Sequence, residues 1–172
     1  AQSSTLASGY HQSGWRRVIE ETFGHQTYYL IALETNGTVQ GIMPLVLLAS
    51  RGFGRFLVSL PFVNYGGMVA NSPEAYRSLE ASAIKTAKEL NATHIELRHE
   101  LPTETCWVST ERKVSMRLQL PSSYELLMKG FPAKLRSQVR RAQKEGMTAR
   151  VGGSECLGEF YAVFSRCMRD LG

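Results

Sequence analysis

The sequence has few of the features that mark secreted, membrane-spanning or disulfide-bonded proteins. Its three cysteines are an odd number and form no Cys-x-x-Cys pair, so no disulfide framework is expected. The longest unbroken apolar run, residues 42–49, has eight residues, whereas a helix that spans a bilayer needs ~18 or more. The sequence contains no basic segment followed by an apolar stretch, which is the pattern of a signal peptide. These absences argue against a transmembrane helix and predict a protein of the reducing cytoplasm.

The motifs of several well-known active sites are missing as well. The sequence contains no P-loop, no nucleophile elbow and no zinc-binding motif. His11, His25 and His99 are not spaced as metal ligands. We therefore expect neither a metal ion nor a bound cofactor.

Negative charge is scarce in one segment of the chain. Residues 129–150 hold seven lysines and arginines and one acid, Glu145, while the other 150 residues hold 13 cations and 14 acids. The formal net charge of +5 therefore comes from one segment. This distribution favours a local anion-binding surface over a general affinity for nucleic acid.

Hydrophobic periodicity predicts an α/β protein. Hydrophobic residues make up 43% of the chain, which is enough for a sizeable core. Early strands joined as hairpins and later strands alternating with helices predict an α+β mixed sheet with helices packed on it. The predicted helices are 13–24, 72–90, 123–129, 132–146 and 152–172, and the predicted strands are 27–34, 38–49, 55–60, 93–98, 113–120 and 147–151.

Local signals add detail to these elements. Asn36-Gly37 predicts a type I′ hairpin turn, and Pro44 predicts an edge position or a bulge for the return strand. Asn91 is expected to end the 72–90 helix in a left-handed conformation. The inner face of that helix is predicted to contain Tyr76, Leu79, Ala83, Ile84, Ala87 and Leu90.

The helix over 132–146 carries most of the local positive charge. At 100° per residue, Arg136, Arg140 and Lys144 lie along one side, and Lys134 lies on the opposite side with Arg141. Like charges at this spacing repel by a few tenths of a kcal/mol per pair, and only Glu145 offers local compensation. We interpret the helix as a site for phosphates, either of a nucleotide-linked substrate or of an RNA backbone. The alternative is an ordinary solvated helix face.

Two further groups of residues are candidates for a site. His94, Glu96 and Arg98 share one face of a predicted strand, where Glu96 is our candidate general base. The alternative is that Glu96 and Arg98 form an ion pair. The turn Asn64-Tyr65-Gly66-Gly67 predicts a substrate-binding loop, because glycines allow a ligand to approach the backbone closely; the alternative is an ordinary glycine turn.

Five blocks of sequence, in order, resemble the FemAB-like proteins. They are GWRRVIEETFGH, TYYLIALETNGTVQGIMPLVLL, GRFLVSLPFVNYGG, HIELRH and KLRSQVRRAQKEG, and the resemblance extends over almost the whole chain. More narrowly, they resemble the FemAB-related proteins associated with the exosortase/PEP-CTERM exopolysaccharide system of Gram-negative bacteria. The resemblance implies an acetyltransferase-like (GNAT) fold that is usually present twice. Residues 1–151 would be the first such domain and residues 152–172 an exit helix towards a second, whose surface or a partner chain would cover the apolar stripe of that helix.

The resemblance also implies an activity. Fem-type enzymes transfer an aminoacyl group from aminoacyl-tRNA to an amine of a nucleotide-linked or lipid-linked cell-envelope precursor. By position, Lys134, Arg136, Arg140 and Lys144 would lie on the basic helix of the family, and Asn64, Tyr65 and Gly66 in its substrate-side loop. Catalysis would rest on positioning and on removal of a proton from the attacking amine, with Glu96 as the candidate base.

Two other functions remain open at this point. One is a non-catalytic module that binds anions, RNA or polysaccharide through the basic helix. The other is a CoA-dependent N-acyltransferase of the GNAT type. Enzymes of that type hold the pyrophosphate on a Gly-rich turn at a helix N-terminus, whereas Arg51-Gly52-Phe53-Gly54 precedes a predicted strand. We therefore do not expect this domain to bind CoA in the usual way.

Overall fold

The structure, a computed structural model, describes residues 7–101, 103, 107–110 and 116–172. The chain divides into two compact units, unit 1 (Ala1–Val108) and unit 2 (Ser109–Gly172). The predicted first domain, 1–151, includes unit 1 and part of unit 2. Among the described residues, no helix combines the length and the apolar character needed to cross a membrane.

In the residues of unit 1 that the structure describes, there are two α-helices and five strands. A short 3-10 turn at Gly9–His11 precedes helix α1 (Gly14–Phe23). The strands are β1 (Gln26–Leu33), β2 (Val39–Ser50), β3 (Gly54–Val58), β4 (Val69–Ala70) and β5 (His94–Glu96), and helix α2 (Pro73–Glu89) lies between the last two. The strands predicted over 27–34, 38–49, 55–60 and 93–98 all correspond to strands of this sheet, although β5 is shorter than predicted.

The sheet of unit 1 is mixed, as the sequence predicted. Its order is β1-β2-β3-β5, with β4 paired to β2. All neighbours are antiparallel except β3 and β5, which are parallel in a register that places Phe56 opposite His94 and Val58 opposite Glu96. Because β3 and β5 run in the same direction, their carboxyl ends reach the same edge of the sheet.

The β1–β2 hairpin forms as expected, but the predicted type I′ turn is wrong. Gly37 has φ +86°, while Asn36 is not in the positive-φ region. The Gly37 N–H donates to the Glu34 carbonyl at 2.9 Å, and the Glu34 N–H donates to the Thr38 carbonyl at 2.9 Å. This is a three-residue loop in which a type I turn is followed by a left-handed glycine. The Asn36 side chain contributes by accepting from the Thr38 N–H at 2.8 Å.

Pro44 lies in a central strand, so its predicted edge position is wrong, and the alternative of a bulge does not apply to it because the register shift of the hairpin falls at Ala32 and Leu33. It stands opposite Tyr29 of β1, and its side chain is fully buried. On the other side of β2, residues 46–50 pair with β3 and residues 41–42 pair with β4. Pro44 therefore falls in the short gap between these two partners, where a residue without an N–H interrupts neither ladder.

The two helices of unit 1 cover opposite faces of the sheet. Ile19 of α1 packs with Val46 and Leu60, whereas Leu79 and Ala83 of α2 pack in a second cluster that contains Leu45, Leu47 and Leu57. Neighbouring residues of a strand point to opposite faces, so Val46 and Leu45 separate the two clusters. The core of unit 1 therefore consists of two layers, one on each side of the sheet.

The ends of α2 follow the predicted signals. The Ser72 hydroxyl accepts from the Ala75 N–H at 3.2 Å, Pro73 occupies the first turn, and Asn91 has φ +53° just beyond the helix. The predicted inner face needs one correction. Ile84 is exposed, and Ala75 is buried in its place.

Unit 2 is helical in the part that the structure describes. Its α-helices are α3 (Tyr124–Gly130), α4 (Ala133–Lys144) and α5 (Leu157–Leu171). The helices predicted over 123–129 and 132–146 are confirmed, and α5 lies within the predicted exit helix. The apolar stripe of α5 is exposed: Leu157, Phe160, Tyr161, Phe164, Met168 and Leu171.

Both strands predicted for unit 2 need correction. Residues 116–120 and 147–151 form no strand, and residues 113–115 of the first prediction lie outside the described residues. Met116, Leu118 and Leu120 are exposed despite their strict alternation with polar residues. A strand requires a neighbouring backbone for its hydrogen bonds, and the described part of unit 2 contains no other strand.

Candidate functional site

Unit 1 contains a cavity of about 700 Å³. It is bounded by the segment before α1, the loop before β4, the first turns of α2 and the segment after β5. This volume suits a ligand of the size of a metabolite or a short peptide. The titratable side chains that line it are His11, Tyr65, Tyr76, Arg77, Glu80, Arg98, His99 and Glu100.

The loop Tyr65-Gly66-Gly67 forms one wall of the cavity. Its Gly66 and Gly67 N–H groups both donate to the Arg98 carbonyl, at 3.2 and 2.9 Å. Gly66 has φ +140°, and a Cβ there would lie 2.6 Å from the Leu60 side chain. The Tyr65 ring packs edge-on against Tyr10, with centroids 6.3 Å apart. The loop therefore requires glycine at this position and is fixed to the segment after β5.

A buried serine holds the carboxyl ends of β3 and β5 together. The Ser59 N–H donates to the Glu96 carbonyl at 2.9 Å, which continues the ladder by one residue. The Ser59 hydroxyl then accepts from the Arg98 N–H at 2.8 Å, and the side chain is fully buried. A side chain thus replaces the backbone ladder where the strands end, and it fixes the backbone of Arg98 beside the cavity.

His11 connects the segment before α1 to this loop. Its Nδ1 accepts from the Ser8 N–H at 3.1 Å, and its Nε2 lies 2.9 Å from the Gly67 carbonyl. A carbonyl can only accept, so the proton of the neutral ring is on Nε2. Both nitrogens therefore have partners, and His11 acts as a structural link.

His99 has a different environment from His11. Its Nε2 is buried and has no hydrogen-bond partner in the part of the chain that the structure describes. Burial lowers the pKa of the imidazole below its ordinary value of 6.5, and nearby His11 lowers it further, while a hydrogen bond with the Met68 backbone and the charge of Glu80 act in the opposite direction. A Cβ on Gly67 would lie 2.6 Å from His99 Cδ2, so the glycine makes room for this edge of the ring.

Glu96, the predicted base, does not line the cavity. Its carboxylate accepts from Arg98 Nε at 2.6 Å, and its side chain is 48% exposed. Arg98, which does line the cavity, also donates to the Val63 carbonyl at 3.1 Å. The ion pair that the sequence offered as the alternative for Glu96 is therefore present.

The N-terminus of α2 is poorly suited to a phosphate. Pro73 has no N–H, and the Ala75 N–H already donates to the Ser72 hydroxyl. The Glu74 carboxylate occupies the same turn, where hydrogen bonds with its own backbone N–H and with Ser72 lower its pKa. Its negative charge opposes an incoming anion at the position where a helix would otherwise favour one.

The other predicted site residues are divided between the two units. Tyr65 and Gly66 line the cavity, as does Gly67, whereas Asn64 is exposed and does not. The four predicted cations of the basic helix are on α4 in unit 2: Lys134, Arg136, Arg140 and Lys144.

The cations of α4 differ in their contacts. Arg136 is half-buried and donates to the Phe131 carbonyl at 2.5 Å, beyond the end of α3. Arg141 pairs with Glu145 at 2.7 Å. Lys134, Arg140 and Lys144 are exposed and have no acidic partner among the described residues. These three cations are the accessible part of the predicted anion surface.

Several residues of the cavity were missed at the level of sequence. No second histidine stands at metal-ligand spacing from His99, yet His99 follows a strand that is parallel to its neighbour. The carboxyl ends of parallel strands are common positions for functional side chains, and this signal would have favoured His99 over Glu96. Glu80 gave no such signal, because its role depends on which turn of α2 faces the cavity.

Neither metal ligands nor relatives identify the site. Within the described residues, no group of three or more histidine, cysteine or acidic side chains is placed to hold a metal ion. Comparison with protein-family models, with curated proteins and with solved structures gave no match.

Proposed function

We propose that this chain is a Fem-type acyltransferase domain with a GNAT-like fold and that the cavity of unit 1 binds the amine-bearing acceptor. The observation that carries the proposal is the Tyr65-Gly66-Gly67 loop, which the sequence singled out as a substrate loop and which lines a cavity of about 700 Å³. The mixed sheet, with α1 and α2 on opposite faces, is compatible with such a fold.

The charges of the cavity wall suit an acceptor that carries both an ammonium and an acidic group. Glu80 and Glu100 supply carboxylates, which attract an ammonium. Arg77 and Arg98 supply guanidinium groups, although each already contacts a carboxylate, Glu74 and Glu96 respectively. The wall is therefore balanced in charge, as expected for a precursor that ends in an amino acid or a short peptide.

The start of α2 argues against CoA as the acyl donor of this cavity. A CoA pyrophosphate needs backbone N–H groups at a helix N-terminus, and the first turn of α2 offers a proline, a capped N–H and a carboxylate. We therefore infer that the donor is an acyl ester of another kind, of which aminoacyl-tRNA is the example that the sequence resemblance suggests.

A second candidate function is an anion-binding module that acts through α4. The observation that favours it is the exposure of Lys134, Arg140 and Lys144 without acidic partners among the described residues. The two functions are compatible, because an acyl donor attached to RNA would itself supply phosphates.

The test is a set of binding titrations with matched ligands and variants. The ligands are a nucleotide-linked envelope precursor ending in a primary amine, the same precursor with its amine acetylated, acetyl-CoA, and a single-stranded RNA. We expect the free amine to bind best and Glu80→Gln to weaken it by about tenfold or more, since a charge-assisted hydrogen bond is lost. Glu89→Gln, on the same helix but outside the cavity, is the control.

Two results would contradict the proposal. One is equal affinity for the amine and its acetylated form, and the other is stabilisation by acetyl-CoA alone. The second function is tested in the same series, because the double variant Arg140→Gln and Lys144→Gln should weaken RNA and leave the amine unaffected.

A further inference from the structure

The outer edge of strand β4 lies along the cavity. The lining includes both residues of β4 and also residues 98–101, which follow β5. These two segments are joined at one point, where the Gly67 N–H donates to the Arg98 carbonyl at 2.9 Å. Beyond that point both segments border the cavity, and among the described strands only β2 pairs with β4. The cavity therefore lies where a further strand would pair with β4.

The hydrogen-bond pattern of β4 shows which backbone groups point to this edge. The Asn71 N–H donates to the Gln40 carbonyl at 2.8 Å, and the next pair along the ladder is Ala70 opposite Gly41. Hydrogen-bonded and non-hydrogen-bonded pairs alternate in an antiparallel ladder, so Ala70 and Gly41 form a non-hydrogen-bonded pair. A Cβ on Gly41 would lie 2.9 Å from the Ala70 Cβ, which agrees with the closer spacing of such pairs. The Ala70 N–H and carbonyl therefore point away from β2.

The two outward groups of Ala70 are available to a ligand. Neither has a backbone partner within the part of the chain that the structure describes. Ala70 keeps 7% of its surface exposed, and its side chain packs in the cluster of Leu79, so its contact with the cavity is made by the backbone. Backbone donors and acceptors in folded proteins nearly always have partners. The partner expected here supplies one acceptor and one donor, at the spacing of a peptide residue.

We propose that the acceptor bound in this cavity is a peptide in extended conformation, one residue of which exchanges two backbone hydrogen bonds with Ala70. This inference rests on the proposed function and names the chemical class of its acceptor. A ligand with a single polar group satisfies only one of the two Ala70 groups, whereas a residue of an extended peptide presents an N–H and a carbonyl on the same edge. The cavity of about 700 Å³ has room for a short peptide.

This pairing also determines where the side chain of the bound residue points. Residues directly opposite each other in a ladder project their side chains to the same face of the sheet. Ala70 projects towards α2, where it packs in one cluster with Ala75 and Leu79, so the paired residue of the peptide projects towards α2 as well. Tyr76 and Glu80 follow these two residues in the helix and line the cavity. An amine on that side chain therefore points to the wall that carries the Glu80 carboxylate.

The first experiment measures amide hydrogen exchange of the ¹⁵N-labelled full chain by NMR, with and without a peptide. The probe is acetyl-Ala-Lys-Ala-amide, whose lysine supplies the amine. At saturation, exchange of the Ala70 N–H should slow by about tenfold or more, since this group gains a partner, while the Asn71 N–H, already bonded to β2, should change little. No slowing at Ala70, or equal slowing at Asn71, would overturn the inference.

The second experiment changes the peptide and leaves the protein intact, so that misfolding of a variant cannot affect the result. Methylation of the lysine backbone nitrogen removes the donor to the Ala70 carbonyl and should weaken binding by about tenfold or more. The matched control carries the methyl group on the nitrogen of the first alanine, which points away from β4, and should bind as the parent peptide does. Equal affinity of the two methylated peptides, or no saturable binding of the parent, would contradict the pairing with Ala70.

A peptide with norleucine in place of lysine separates failure of the inference from failure of the proposed function. It keeps the backbone and lacks the amine, so it should bind more weakly than the lysine peptide. If the lysine peptide is preferred but methylation of its lysine nitrogen has no effect, the proposed function stands and the pairing with Ala70 fails. If the two side chains bind equally and methylation still weakens binding, the pairing stands and the recognition of an amine by the cavity fails.

Discussion

The helices of the two units are stabilised in different ways. Helix α2 of unit 1 buries Ala75, Leu79, Ala83 and Ala87 against the sheet. Helices α4 and α5 of unit 2 bury none of their residues. Ion pairing differs too, because both Arg16 and Arg17 of α1 pair with an acid one turn away, whereas Arg141 alone does so among the five cations of α4.

This difference shows where the free energy of folding resides. Burial of apolar surface contributes roughly 25 cal/mol per Å², so a helix with four buried residues gains from its neighbours. A helix of 12 residues, such as α4, is marginal in water when only local interactions support it. We therefore expect unit 1 to determine the cooperative unfolding transition and unit 2 to contribute little to it.

The largest test of this comparison pairs one core substitution with one surface substitution. Leu79→Ala removes a 2% exposed side chain from the core of unit 1 and should lower the free energy of unfolding by about 2–5 kcal/mol. Phe160→Ala removes a side chain of α5 that is 61% exposed, and its effect should stay below about 1 kcal/mol. Both values come from urea unfolding of the full chain.

Intrinsic probes allow the two units to be followed separately. Trp15 and Trp107 are the two tryptophans of the chain, and both belong to unit 1, so their fluorescence reports on that unit. Circular dichroism at 222 nm follows the helices of both units. A loss of more than about 2 kcal/mol for Phe160→Ala would show that α5 is part of the same packed core and would remove the contrast.

The sequence predicted the structure best where a residue acts through its own backbone. Ser72, Pro73 and Asn91 mark the ends of α2 correctly, because capping and a left-handed conformation depend on adjacent residues. Pro44 was misplaced for the opposite reason. Its acceptability in β2 depends on where β3 and β4 stop pairing, and those strands are distant in sequence.

Only part of the candidate site was predicted, and the same distinction between local and long-range effects explains which part. Gly66 was predicted as part of a substrate loop because close approach of a ligand to the backbone depends on the glycine itself. His99 was missed because its distinctive environment comes from burial and from the electrostatic influence of His11 and Glu80, which the fold brings near it. The exposed alternation of residues 116–120 shows the converse, since period-2 patterning specifies a strand only if a neighbouring strand exists.

The next prediction, of intermediate size, concerns the pH dependence of the free energy of unfolding, and the effect of the histidines should be confined to unit 1. All four histidines of the chain, at positions 11, 25, 94 and 99, belong to that unit. Folding lowers the pKa of His99 from its ordinary 6.5, so below that value the unfolded state binds the proton more tightly. This residue therefore makes stability rise with pH from its lowered pKa up to about 6.5, and the gain is lost as the pH falls.

The measurement is the tryptophan-detected unfolding of wild type and His99→Gln between pH 5 and pH 8. The variant should show a shallower fall in stability at acidic pH, and His94→Gln should follow the wild type. An unchanged slope for His99→Gln would show that burial of this histidine is not linked to folding.

The smallest effect, and the sharpest contrast, comes from one kind of substitution made in two helices. Lys85→Gln in α2 removes an exposed ion pair with Glu89, 3.9 Å away, and should cost about 0.2–0.5 kcal/mol. Arg140→Gln in α4 instead removes a cation one turn from both Arg136 and Lys144, so it should stabilise that helix by a similar few tenths of a kcal/mol. Lysine, arginine and glutamine have similar helix propensities, which leaves charge as the main difference.

The salt dependence of the two effects tests whether both arise from interactions between charges. At 1 M salt the Debye length is about 3 Å, so both the loss in α2 and the gain in α4 should disappear. Tryptophan fluorescence would report the first effect and circular dichroism at 222 nm the second. If Arg140→Gln lowered helicity at low salt, the cations of α4 would have to be stabilised by contacts within the full chain, and α4 would no longer be the uncompensated helix of this comparison.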